Sequence, residues 1–405
     1  MKFKTRVGPE KAAADLAGRQ EFSARLVLEL ARQPGNLFVS PYSAWCLLAM
    51  LQPGARGATR DMLVRVLGTD EGDGLGSWTN PIEELTEEET PRKFNTLELK
   101  GPPESFPKSF FVKKRQFDLI VANALWLQKG YQLECDYRED VTERFKARIE
   151  ELDLTGDPGV SCETINHWAE ENTQGRIRKV LSPGEIGPLT RLILNNATYF
   201  KDKWRQPFQL DATLKKPFHR LDGSTVDVSM MHQMSGFNYF EDRRVQAVSL
   251  PYLYSGLSMI VILPKQIRDF EASLTPQSLE SLFKSLEPSR VVLGLPRCRF
   301  EDGRSLVSAL EVVGLLSLFD GSADLSGISR EPGIGIDEVK QVTFVQIDEK
   351  GTEAAAVTTA IMTGAAPARP EPKPKVMIVD RPYWFFIRDD RSGTMLFAGR
   401  VEDPS

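Results

Sequence analysis

Glu349-Lys-Gly-Thr-Glu-Ala-Ala-Ala-Val-Thr-Thr-Ala-Ile-Met-Thr-Gly-Ala-Ala-Pro-Ala-Arg369 lies near the C-terminal end of the chain, between two apolar runs. Val342-Thr-Phe-Val-Gln-Ile347 precedes it and Val376-Met-Ile-Val379 follows it. Both are β-branched and aromatic in the manner of strands. Connections in compact domains usually run about 4–6 residues, so this one, several times longer, is either a flexible linker or a functional loop. Its composition favours function. No charged residue occurs from Ala354 to Ala368, whereas disordered linkers are rich in charge and polar groups. Thr352, Ala354, Ala356, Thr358, Ala360 and Met362 would share one face of a strand. Small side chains of this kind suit a strand that slides between two others, and Gly351 supplies a hinge. The segment reads as a loop able to become a strand.

Glu349-Lys-Gly-Thr-Glu-Ala-Ala-Ala356 resembles the hinge of the reactive-centre loop of serpins. Asp380-Arg-Pro-Tyr-Trp-Phe-Phe-Ile387 and Leu396-Phe-Ala-Gly-Arg-Val401 resemble the C-terminal signature of the same family. Further blocks fall in family order. Asn36-Leu-Phe-Val-Ser-Pro-Tyr-Ser43 opens a helix that Ser40 caps and Pro41 starts, and Gly54-Ala-Arg-Gly-Ala-Thr59 caps the next. Leu119 to Leu127, containing Asn123-Ala-Leu-Trp126, and Leu192 to Trp204 read as strands of a central sheet. Ile165-Asn-His-Trp168 opens a helical stretch ended by Gly175. The resemblance covers about residues 12 to 404 and implies an α+β single-domain fold over 1–405, helices around a large mixed β-sheet with smaller sheets and an exposed reactive-centre loop at 349–375. Residues 70–118, rich in Gly, Pro and acidic clusters, match poorly and read as a surface insertion; Lys113-Lys-Arg115 within it reads as a solvated face.

Bulk properties set the remaining bounds. The 405 residues are 41% hydrophobic and 26% charged, with a net charge of −5, ordinary values for a globular protein that give no reason to expect nucleic acid as a partner. No apolar run approaches the ~20 residues that span a bilayer, so no membrane partner is expected either. Met1-Lys-Phe-Lys-Thr-Arg-Val-Gly-Pro9 has no apolar segment behind its basic residues and is not a secretory signal; a cytoplasmic location is favoured and an extracellular one stays open. Cys46, Cys135, Cys162 and Cys298 lack metal spacing and read as buried or half-buried free thiols rather than a disulfide framework.

Nothing in the sequence supplies catalysis. His167, His219 and His232 have no metal-ligand neighbours of the HExxH kind, Gly333-Ile-Gly335 lacks the third glycine of a nucleotide loop, and no GxSxG elbow occurs. No enzyme activity, metal or cofactor is expected.

The resemblance implies a trap for proteases. A target protease forms an acyl-enzyme at the scissile bond, and the loop then inserts into the main sheet, adding a strand and releasing stored strain. At about 3.3 Å per residue, roughly fifteen inserted residues carry the protease on the order of 50 Å. The hinge is Glu349, Gly351, Thr352, Glu353, Ala354, Ala355 and Ala356; Thr352 enters first, where a charge would be buried without a partner. Counting from Glu349 places the scissile bond at Ala365-Ala366, suited to an elastase-like serine protease, with subtilisin-like and cysteine proteases as further candidates. Arg369 invites trypsin-like cleavage, but Pro370 blocks it. The shutter and breach positions that the resemblance implies are Ser40, Ser43, Asn196, Trp204, Arg297 and Gln341. Gln341 stands in place of the family's usual histidine, and its amide can still reach Asn196. Arg297 and Glu349 either pair or both face solvent. Asn196-Ala-Thr198 is a formal glycosylation sequon that a central strand would bury. Pro367 to Lys375 favours a stiff polyproline stalk that pushes the bait outward or binds a partner itself. A monomer is expected. The competing reading is a non-inhibitory serpin acting as a carrier, chaperone or binding module; its members have bulky, charged or proline residues in the hinge, and from Ala354 onward this hinge has none.

Overall fold

The strand β4 (Leu192–Lys203) is buried along almost its whole length, and the architecture follows from covering both its faces. The computed structural model describes residues 9–69, 117–352 and 373–405, with side chains described from residue 14. Toward one face, Leu192, Leu194 and Phe200 join the main core; toward the other, Ile193, Ala197 and Tyr199 join a second core. That second core is closed by Cys162, Ile165, Trp168 and Ala169. This alternation is what a strand between two layers requires, since successive side chains point to opposite faces.

Helices come first: α1 (Pro9–Leu30), α2 (Pro41–Ala49) and α3 (Gly57–Leu67), separated only by the short strand β1 (Leu37–Val39). Every residue of α2 is buried, and Ser40 caps it by accepting from the Ser43 amide. Strands β2 (Asp118–Gln128) and β3 (Arg148–Leu152) flank α4 (Cys135–Phe145), and α5 (Pro158–Asn172) precedes β4. There follow β5 (Leu214–His219), β6 (Thr225–Glu241), β7 (Val245–Pro251) and β8 (Leu257–Pro264), then the helices α6 (Ile267–Ser273) and α7 (Pro276–Lys284). After β9 (Glu287–Pro296) and β10 (Cys298–Ser305) a short helical turn α8 (Val307–Leu310) leads to β11 (Ile336–Asp348). The chain ends with β12 (Gly351–Thr352), β13 (Lys375–Ile378), β14 (Tyr383–Asp389) and β15 (Met395–Val401).

These strands form two sheets. The nine-stranded sheet runs β1-β15-β14-β8-β7-β6-β9-β13, with β5 on β6; the six-stranded sheet runs β10-β11-β12-β4-β2-β3. The six-stranded sheet is mixed. Its centre is a parallel pair, β4 with β11, registered from Leu192↔Ile336 to Tyr199↔Phe344. The outcome is the α+β arrangement of helices on mixed sheets that the sequence blocks implied. No helix among the described residues is long and apolar enough to cross a membrane.

Several sequence expectations need correction. The segment read as an insertion over 70–118 overlaps the fold at its end, because Asp118 already begins β2; residues 70–116, with Lys113-Lys-Arg115, lie outside the described residues. The 349–375 connection is shorter than read: Gly351 and Thr352 are in one sheet and Lys375 is in the other, leaving 353–372 outside the described residues. Within the Gly54–Thr59 block the N-cap of α3 is Arg56, without a side-chain bond, and the Thr59 hydroxyl accepts from the Asp324 amide at 2.9 Å. All four cysteines are free, but Cys135 is exposed at the start of α4, where a helix terminus faces solvent.

Candidate functional site

The open end of the β4–β11 pair

Beyond Phe344 and Tyr199 the parallel pair separates, and β12 lies in the gap. Thr352 pairs with Ile347 of β11 and Asp202 of β4, and Gly351 with Asp348 and Lys203, antiparallel on both sides. The backbones approach so closely that a Cβ on Gly351 would lie 2.1 Å from the Asp202 carbonyl oxygen, with φ at +157°. Only glycine fits there. Thr352 is fully buried, and its hydroxyl shares a 2.6 Å hydrogen bond with the Tyr252 hydroxyl. Tyr252 stacks on Trp204 at 4.7 Å between ring centroids. Trp204 in turn holds the approach to β12: its indole Nε1 donates to the Asp348 carbonyl at 2.9 Å and its amide to the Lys350 carbonyl at 2.8 Å.

Glu349 and Arg297 pair, which decides between the two readings of these residues. Arg297 Nε donates to both carboxylate oxygens at 2.8 Å, and its Nη2 and the Thr213 hydroxyl donate to Oε1 as well. Glu349 is buried while Arg297 is 43% exposed. Burial works against the Glu349 carboxylate, but the bonds from Arg297 and Thr213 outweigh it and hold its pKa below the usual value. Two neighbouring carboxyls are perturbed the other way. Burial raises Asp202, despite bonds from the Ser255, Lys203 and Tyr254 amides, and burial raises Asp348.

The closed middle of the pair

On the face of the sheet toward α2, a hydrogen-bonded cluster joins β4 and β11 to the α2 N-terminus. Gln341 Nε2 donates to Asn196 Oδ1 at 3.0 Å and to the Ser40 carbonyl at 3.0 Å, while its Oε1 accepts from the Ser40 amide at 2.8 Å. The amide thus bridges the parallel pair and the helix cap at once. Asn196 Nδ2 donates to Asn123 Oδ1 on β2 at 2.8 Å. Thr198 Oγ1 donates to Asn196 Oδ1 at 2.6 Å and lies 3.2 Å from Ser43 Oγ. Ser40 Oγ donates to the Leu396 carbonyl on β15 at 2.7 Å, linking the two sheets. Asn196 and Thr198 are fully buried, so the sequon they form is out of reach of a glycan.

The structure thus gathers Ser40, Ser43, Asn196 and Gln341 in one cluster and Trp204, Arg297, Glu349, Gly351 and Thr352 in another. Glu353, Ala354, Ala355, Ala356 and the Ala365-Ala366 bond lie outside the described residues. Sequence reading missed Asn123 and Thr198 in the first cluster and Asp202, Thr213 and Tyr252 in the second. Alternation along β4 could have flagged Thr198, which must share a face with Asn196, whereas Asn123 is brought there by the register of β2 on β4. Nothing local marks Tyr252 or Thr213. Of the histidines, His167 is exposed and sits 3.1 Å from Glu171 on α5, remote in role from either cluster.

Gly351→Ala should expel β12, raising hydrogen exchange at the Gly351-Thr352 backbone at least about tenfold, or about 1.4 kcal/mol; unchanged exchange would show that the close approach is relaxed in solution. Glu349→Gln should lower stability at pH 7 by about 1–3 kcal/mol. The depressed carboxyl contributes fully above the ordinary value of about 4.3 and loses that contribution as pH falls from there through its lower folded-state value, so wild-type and variant denaturation curves should converge only at acid pH. Gln341→His should introduce a loss of stability below about pH 6.5, where a buried imidazole would have to charge, a dependence that parallel melts of wild type should lack.

Comparison with known proteins

A sequence model of the family described as Serpin (serine protease inhibitor) matches residues 17–404. A serpin-like protein of Thermococcus kodakarensis is 38% identical, over 95% of this chain and 84% of its own. The leukocyte elastase inhibitor of Bos taurus is 32% identical, over 96% of this chain and 99% of its own. The crystal structure of Serpin48 from the insect Tenebrio molitor superposes with a TM-score of 0.80 at 28% identity, covering 98% of this chain and all of that one.

Proposed function

The chain belongs to the serpin family, and from that premise we propose that it inhibits a protease of elastase-like specificity by inserting its own loop between β4 and β11. Members of this family are mostly protease inhibitors rather than enzymes. The observation that carries the reading is β12: two hinge residues lie antiparallel between the ends of a parallel pair. Parallel pairing is slightly weaker per residue than antiparallel. A strand entering there replaces one parallel ladder with two antiparallel ones, and the direction of β12 is the direction the entering strand needs.

The residues at the entrance suit that role. Thr352 is small enough to be buried beside Tyr252 and polar enough to bond it. The Gln341 bridge across β4 and β11 is the restraint that insertion has to break. Once cleaved at Ala365-Ala366, the loop carries the acylated protease along the sheet before the ester hydrolyses. The elastase-like target follows from small residues at the bond and agrees with the name of the bovine relative, leukocyte elastase inhibitor.

Incubation with pancreatic-type elastase, followed by denaturing electrophoresis and mass spectrometry of the released peptide, tests this. An SDS-stable adduct and a new N-terminus at Ala366 are expected. Thr352→Arg, which would bury an unpaired charge against Tyr252, should abolish the adduct while cleavage continues. Cleavage without an adduct by elastase and by subtilisin-like and cysteine proteases would instead favour the non-inhibitory carrier or chaperone reading.

A further inference from the structure

Arg25, Leu28, Glu29 and Arg32 follow helical spacing along the end of α1 and just past it, so they share one face. Two further elements line the same space: α6 with the following Leu274, and a wide helical turn of π type, Glu311–Leu315. Turns of this type widen the backbone and recur at functional sites. This one breaks at Gly314, whose φ of +112° only glycine adopts freely. Val313 and Leu315 are buried there, while Val312 stays 59% exposed. Between the three elements lies a cavity of about 470 Å³, within the range that small-molecule ligands occupy. None of its lining residues belongs to either cluster of the β4–β11 seam.

The lining has an apolar part and a charged part. Leu28, Ala31, Ala272, Leu274 and Val312 supply the first. Of the five charged residues, four pair off among themselves. Glu29 is held by Arg32 at 3.2 Å and Glu271 by Arg268 at 3.2 Å. Glu271 also accepts from the Trp384 indole and from Arg400, so its carboxylate is saturated. Arg25 is left over. Its Nη2 donates to the Val313 carbonyl at 2.9 Å, and no carboxylate among the described residues pairs with it. A guanidinium has five donors, so most of those on Arg25 remain for a ligand, and a carboxylate suits them in bidentate fashion.

We infer that this cavity binds a small amphipathic anion, a carboxylate on a short hydrocarbon chain: Arg25 pairs with the acidic head, and the apolar lining covers the chain. A neutral apolar molecule would leave the Arg25 charge unanswered, and a cation would be repelled by it. An inorganic anion would leave Val312 and Leu28 in water. A molecule with both parts uses both features, and each methylene buried against the lining adds to its affinity. The site goes beyond the inhibitory reading and stands without it, because it involves neither the hinge nor the seam.

Titration calorimetry of the full chain with hexanoate, octanoate and decanoate tests this. One saturable site is expected, with affinity rising about fourfold per methylene, the factor that burial of one methylene implies. Octylammonium, with the opposite charge on the same chain, should not bind. Arg25→Gln should weaken octanoate at least about tenfold, Arg25→Lys should keep most of the affinity, and Val312→Asp should abolish it. Val160→Asp, at an exposed residue of α5 outside the cavity, should leave it unchanged. These side chains are all exposed, so melts of the variants without octanoate should match wild type. Absence of saturable octanoate binding would overturn the site. Equal binding of octylammonium would show apolar contact alone, and full affinity in both Arg25→Gln and Val312→Asp would put the binding elsewhere; either result overturns it too.

Discussion

The parallel pairing of β4 with β11 is the constraint on which the rest of the structure turns. Most neighbours in the two sheets are antiparallel; this pair, at the centre of the six-stranded sheet, is parallel. Parallel ladders have slanted hydrogen bonds and hold slightly less firmly per residue. The edges that face each other across this seam carry complete sets of backbone donors and acceptors, and those sets can equally serve a strand running the opposite way between them. Where Gly351 and Thr352 enter, the substitution of one ladder by two has already been made over two residues.

Two clusters hold the seam, and they differ in chemistry. The open end depends on one half-buried ion pair, aromatic stacking and the absence of a side chain at Gly351. Acid acts there on carboxyls of unequal strength: burial raises Asp202 and Asp348, so they take up protons before Glu349, which Arg297 and Thr213 hold down. The closed middle is built from amides and hydroxyls alone: Gln341, Asn196, Asn123, Thr198, Ser40 and Ser43. None of these side chains titrates near neutral pH, so this lock is indifferent to the proton concentrations at which a histidine would change charge.

The two faces of the sheet are likewise unequal. Toward α2 the polar groups of β4 are paired in a network that reaches β15 through Ser40. Toward α5 the layer is packed from apolar side chains, with the Asn195 amide enclosed among them. A saturated network on one face and an unsaturated group on the other place the restraint and the unmet bonding capacity on opposite sides of the same strand.

Much of this was legible in the chain. Gly351 among small side chains signalled a hinge; Ser40-Pro41 signalled a capped helix; the apolar runs beginning at Leu119 and Leu192 signalled strands. These are local properties, set by side-chain size, by φ preference and by strand period, and so they can be read without coordinates. What lay beyond reading were relations between residues far apart. Whether Arg297 meets Glu349, that Tyr252 receives Thr352, that Gln341 spans Ser40 and Asn196, and that Asn195 is left unpartnered all depend on the register of strands separated by up to hundreds of residues. Register is decided only when the strands pack, because a shift of one residue moves every side chain to the other face. The sequence by itself determined a glycine hinge between two apolar strands; the tertiary structure decided where Gly351 and Thr352 pair, in which direction, and against which side chains.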